Sequence, residues 1–134
     1  MRQSIFVRWP SIAGLVLFFA GATNSAEVTI DQLCANLKQF HKQTITIRGG
    51  IADVRKVTSR NRNAYTTAQL KEKCMCALTV FSWGHCDLKG GDSVEVTGIF
   101  WEERRVSSQT FFCEIDAKSI NKIDGPNLSP IACR

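Results

Sequence analysis

Residues 44–57 read TITIRGGIADVRKV. Ile45, Ile47 and Ile51 alternate with polar or small neighbours, a period of two that belongs to a half-buried strand and not to a helix. The pair Gly49-Gly50 interrupts that pattern. Paired glycines inside a strand mark a bulge or a sharp bend, the device by which a sheet turns a corner and closes on itself. One strand with a built-in corner predicts a curved, all-β fold.

The same period continues downstream. A polar loop, KVTSRNRN at 56–63, leads to a second strand, AYTTAQL at 64–70, and Lys71-Glu72-Lys73 forms a turn. A third strand, CMCALTVFS, covers 74–82 and ends in the connector WGHCDLKGGD. A fourth, SVEVTGIFW at 93–101, places Val94, Val96 and Phe100 on one face. Glu102–Gln109 reads as a charged loop, and TFFCEIDAKSI at 110–120 as a fifth strand with Phe111, Cys113, Ile115 and Ala117 inward. Upstream, Ile30, Leu33, Cys34 and Leu37 fall at helical spacing, with Thr29 or Asp31 as cap, so 27–43 is expected to hold a short amphipathic helix. The strands occupy 44–124, and 125–134 is a tail with two prolines.

The N-terminus has a different character. Arg2 and Arg8 precede the apolar run Ser11–Ala20, and small residues at 20–22 and 24–26 follow. That is the layout of a secretory signal peptide over 1–26, and the run is shorter than the ~20 residues a membrane span needs. Cleavage after Ala26 would leave 15 basic residues against 12 acidic ones and all six cysteines. Six cysteines on so short an exported chain point to a disulfide framework in a periplasmic or secreted protein, with no stable membrane insertion after cleavage.

The strand rhythm, the glycine-bent first strand and the Gly-Asp-x-Val-x-Val-x-Gly run at Gly91–Gly98 resemble the small exported bacterial OB-fold proteins, which are described as nucleic-acid binding. The residues carrying the likeness are Gly49–Val54, Tyr65–Leu70, Leu78–Phe81, Lys89–Gly98 and Phe112–Ile120. The resemblance implies a five-stranded Greek-key barrel with a short N-terminal helix. It also implies that the third and fifth strands are neighbours.

The segment KCMCALTVFSWGHC at 73–86 concentrates three cysteines, Met75 and His85. In a strand, Cys74 and Cys76 would share a face with α-carbons ~6.6 Å apart and parallel β-carbons, a poor geometry for a mutual bridge. With the neighbours that the resemblance implies, one of the two would pair with Cys113 and the other with Cys34, leaving Cys86 and Cys133. Thiolates with His85 would also suit a soft metal such as Cu(I). The paired Cys-x-x-Cys knuckles of structural zinc and the Cys-x-x-Cys of thiol oxidoreductases are both missing from the sequence. Staples are the favoured reading, and no cofactor or resident metal is expected.

An OB fold binds ligands on the outer face of its second and third strands and on two flanking loops. Between Arg55 and Lys73 lie six basic residues and one acid, Glu72. Alternation places Thr66, Ala68, Leu70, Cys76, Leu78 and Val80 inward, and Tyr65, Thr67, Gln69, Met75, Thr79 and Phe81 outward. Arg55, Lys56, Arg60, Arg62, Tyr65, Lys73 and Phe81 are therefore the expected ligand-binding residues, a stacking platform with basic surroundings. The same residues also fit plain packing and solvated loops. His41 and His85 read as helix-end and turn residues, no nucleophile–base–acid set is legible, and an enzyme is not expected. The expected function is a disulfide-stapled module for single-stranded nucleic acid or another anionic polymer. The alternatives are an envelope protein-interaction or structural module, and a soft-metal carrier using Cys74, Cys76 and His85.

Overall fold

A computed structural model describes residues 25–134. The expected signal peptide lies outside the described residues apart from Ser25 and Ala26. Ala26–Glu27 forms a two-residue strand, β1, and pairs in parallel with Ile45 and Thr46, so the expected cleavage point falls within it.

The helical stripe is split in two. α1 covers Ile30–Ala35 and α2 Leu37–Phe40. Thr29 starts α1 with a reciprocal cap: its Oγ1 accepts from the Gln32 N–H at 3.0 Å, and Gln32 Oε1 accepts from the Thr29 N–H at 2.9 Å. At Asn36 the backbone leaves the helical region, with φ −140°, and its side-chain amide donates to the Gln32 carbonyl at 3.0 Å. The single helix expected over 27–43 is thus interrupted by a residue whose side chain competes for backbone hydrogen bonds. Ile30 and Leu33 are buried, and Cys34 packs beside them.

Six further strands follow: β2 (Thr44–Thr58), β3 (Ala64–Leu70), β4 (Thr79–Trp83), β5 (Ser93–Val106), β6 (Gln109–Asp124) and β7 (Asn127–Pro130). The order β2-β3-β4-β6-β5 closes into a ring through an additional β2–β5 pairing. All pairings within the ring are antiparallel except β4–β6. The protein is therefore mostly β, with five strands in the closed ring and β1 and β7 attached outside it.

β2 makes the closure possible. Thr44–Gly50 pairs with β5, and Ile51–Thr58 pairs with β3. Gly49 and Gly50 sit where the strand changes partner. A Cβ at Gly49 would reach 3.4 Å from Ile30 Cδ1 and Leu70 Cδ2, and one at Gly50 would reach 3.1 Å from Lys71 Cδ. The register break comes slightly later, between Ala52 and Arg55, where Asp53 adopts φ 51°. The expected bend is present, but the bulge belongs to Asp53 and not to the glycines. Across the ring, the β5–β6 register shifts at Thr97/Gly98, and a Cβ on Gly98 would collide with the Asp116 carbonyl oxygen and lie 2.8 Å from Ala117 Cα. Only glycine fits that approach.

Several boundaries differ from the sequence expectation. β2 keeps the expected Thr44–Val57 and runs one residue further into the polar loop, because pairing with β3 continues to Thr58↔Ala64. Residues 74–78 are not strand: the Cys74 N–H donates to the Cys76 carbonyl at 3.1 Å and the chain bends. The charged segment 102–109 is no loop but the end of a β5–β6 hairpin paired as far as Val106↔Gln109. Phe111 is 40% exposed and not inward, since this part of the hairpin extends beyond the ring. The tail is ordered by β7 against β6 and by Cys133.

The core is formed by Ile45, Ile47, Ile51, Leu78, Val80, Val94, Val96, Phe100 and Ile115 inside the ring, with Ile30 and Leu33 joining from α1. All six cysteines are paired: Cys34–Cys74, Cys76–Cys113 and Cys86–Cys133. Because the chain bends at Met75, Cys74 reaches the helix and Cys76 reaches β6. Denatured protein kept free of reductant should show no free thiol. Cys76→Ala/Cys113→Ala should lose about 2–5 kcal/mol in a denaturant titration, and an unchanged midpoint would contradict that structural role.

Candidate functional site

Tyr65, Phe81 and Trp83 form one aromatic group on the outer face of β3 and β4. Val80 and Ala68 point into the core, so their neighbours along each strand point out. Tyr65 lies directly opposite Trp83, and Thr67 opposite Phe81. The Tyr65 and Phe81 rings stack with centroids 5.4 Å apart, and Trp83 meets them edge-on at 6.4 and 5.0 Å. Tyr65 and Phe81 are half-buried by this mutual packing. Trp83 is 62% exposed and presents most of the free aromatic surface.

Pairing extends this face into β2 and β6. One row runs Arg55 (β2), Thr67 (β3), Phe81 (β4) and Asp116 (β6). The next runs Val57, Tyr65 and Trp83. Arg55 thus shares the aromatic face, with a loose, exposed ion pair to Asp53 at 3.5 Å. Lys56 pairs opposite Thr66, whose side chain is buried, so it projects from the other side of β2.

Arg60 and Arg62 occupy the β2–β3 turn. It is closed by the Ser59 N–H to the Asn63 carbonyl and the Arg62 N–H to the Ser59 carbonyl, both at 2.9 Å. The turn enters β3 one residue before Tyr65, at the aromatic end of the strand. Lys71 and Lys73 lie past the other end of β3, seven residues long and so ~20 Å away. The basic segment is therefore divided. Its arginines stand at the aromatic group, and Lys73 does not.

The foot of this platform is rigidly held. His85 Nε2 lies 3.0 Å from the Val57 carbonyl and 3.3 Å from Thr58 Oγ1. His85 and Arg134 exchange two backbone hydrogen bonds beside the Cys86–Cys133 bridge. His41 is also engaged, accepting from the Glu102 N–H through Nδ1 at 3.0 Å. Sequence reasoning missed Trp83 and Asp116. Trp83 continues the alternation of Phe81 and was detectable had the third strand been carried one residue further.

Acids collect at two places, one away from the aromatic group and one at its β6 side. A cleft of about 400 Å³ between β1, α1 and the start of β2 is lined by Glu27, Asp31, Glu72 and Glu95, and its Arg48 is held by Glu95 at 3.0 Å. From β5, Arg104 reaches Glu114 at 3.3 Å and Asp116 at 3.8 Å on β6, and its guanidinium covers Trp101 at 5.1 Å. Burial pushes the Glu114 carboxyl above its ordinary range, the Arg104 charge opposes this, and Asp116 adds to it. With every cysteine in a disulfide, no thiolate is available to a soft metal. Among the described residues no group of three or more His, Cys, Asp or Glu is arranged to hold one.

No protein-family model matches this chain, and no curated protein or solved structure matches it.

A carboxyl raised in the fold keeps its proton to higher pH than in the unfolded chain, so its contribution to stability is present at low pH and lost as pH rises through the folded value. The unfolding free energy of the wild type, measured against Glu114→Gln in urea, should therefore improve as pH falls from 7 towards 4. A difference that is flat with pH would contradict the burial cost.

Proposed function

We propose that this chain is an exported, disulfide-stapled OB-fold module that binds single-stranded nucleic acid or a similar anionic polymer in the periplasm or outside the cell. The three disulfides support an oxidising compartment. The closed ring of five strands, with a helix packed on its core, supports the OB-like barrel. One observation carries the ligand class: an outer-face aromatic group, half-buried Tyr65 and Phe81 with exposed Trp83, beside Arg55 and the turn that bears Arg60 and Arg62. Aromatic faces accept any base by stacking, while arginines at the margin take the phosphates.

A second reading rests on a different surface. Met75, Val106, Phe111 and Phe112 are exposed, at 99%, 48%, 40% and 58%. The Cys76–Cys113 bridge brings Met75 to the hairpin that carries the other three. Exposed apolar groups of this kind favour protein contact, in keeping with an envelope interaction module.

The two readings separate by salt. Single-stranded oligonucleotide binding, followed by fluorescence anisotropy, should weaken steeply as salt rises. Arg60→Ala/Arg62→Ala should reduce the salt slope by ~0.7 for each phosphate that is no longer neutralised. Trp83→Ala should cost about 1–3 kcal/mol of binding with thermal unfolding unchanged. Absence of binding at low salt would remove the nucleic-acid reading and leave the apolar surface as the functional one.

A further inference from the structure

We infer that the row Arg55, Thr67, Phe81, Asp116 is a single-nucleotide site in which the Asp116 carboxylate selects bases that carry an exocyclic amino group. This rests on the nucleic-acid reading and adds to it a specificity that stacking alone cannot supply. The four residues occupy successive strands, β2, β3, β4 and β6, at one level of the sheet. Three strand spacings separate the ends, ~14 Å between α-carbons. With an arginine side chain at one end, that span suits a nucleotide laid across the strands, its phosphate at Arg55 and its base over the aromatic group. The outer edge of the base then meets β6.

Charge fixes this polarity. Among the described residues Arg55 has one ionic partner, Asp53 at 3.5 Å, with both side chains largely in solvent, so a phosphate can replace that partner. At the opposite end stand two carboxylates, Glu114 and Asp116, with Arg104 between them. Arg104 is closer to Glu114, at 3.3 Å against 3.8 Å, and donates a hydrogen bond to it. Asp116 keeps the net negative charge of this group. A phosphate is repelled there, so the backbone follows the β2 side.

An ionised carboxylate accepts hydrogen bonds and donates none. Cytosine and adenine present an exocyclic NH₂, and guanine presents an N–H and an NH₂ side by side, all of which Asp116 can accept. Thymine and uracil offer a single N–H between two carbonyl oxygens, and those oxygens repel the carboxylate. The site therefore favours amino-bearing bases over thymine and uracil.

The test compares labelled oligodeoxycytidylate and oligothymidylate of about eight nucleotides, long enough for one OB-sized site, at low salt and neutral pH. Wild-type protein should bind the cytidylate at least about five-fold more tightly, as expected for one good base-edge contact. Asp116→Asn can donate as well as accept, so the ratio should fall towards one even if the lost charge strengthens binding to both probes. Asp116→Ser supplies the same comparison if the asparagine variant does not fold. Equal binding of the two probes by wild type overturns the inference while leaving the binding reading intact. A preference that survives in both variants overturns the role of Asp116. No binding of either probe overturns the underlying reading itself.

Discussion

Closure of the ring depends on β2 changing partner. Its first seven residues complete the β5 edge and the remainder form a hairpin with β3, so one strand joins what would otherwise be the two open edges of a sheet. The cost of bending a strand is met by Gly49 and Gly50, where larger side chains would press on Ile30, Leu70 and Lys71. On the neighbouring strand, Gly98 lets β5 approach the Asp116 backbone where the register shifts. With both corners in place, Ile45, Ile47 and Ile51 of β2 and Val94, Val96 and Phe100 of its neighbour β5 line a common interior. Without them the apolar faces would not meet.

A core this small leaves little margin, and the disulfides act where the hydrogen-bonded ladder does not. The bend at 74–78 has no strand partner, and α1 is anchored to the ring chiefly through Ile30 and Leu33. Cys34–Cys74 ties those two parts together, and Cys76–Cys113 fixes the same bend to β6. Cys86–Cys133 holds the chain end against the connector that follows Trp83. Constraints of this kind act on the unfolded chain as much as on the fold. Of the three, Cys86–Cys133 lies at the aromatic end of β3 and β4, just after Trp83.

The surface is electrostatically divided. Arg55, Arg60 and Arg62 stand at the β2–β3 side of the aromatic group, whereas Glu114 and Asp116 stand at its β6 side. The cleft beside α1 is lined by acids, with its arginine already paired. A uniformly basic patch would hold a polyanion without regard to orientation. Here the charge instead changes sign across four strands, from Arg55 on β2 to Asp116 on β6.

Much of this followed from period and alternation. The inward set Thr66, Ala68, Leu70, Leu78 and Val80, and the adjacency of Tyr65 and Phe81, need only the strand repeat and a short hairpin, and both are local properties of the chain. The bend near Gly49-Gly50 is equally local. Three things required the tertiary structure. Strand ends moved because cross-strand pairing, and not composition, starts β4 only at Thr79 and extends β5 through the charged run to Val106. The disulfide partners depend on which strands lie side by side, and sequence spacing carries no record of that. The position of Asp116 beside Phe81 rests on the parallel β4–β6 pairing between residues far apart in the chain. The sequence by itself determined which residues point outward. Only closure of the ring decided which of them stand together.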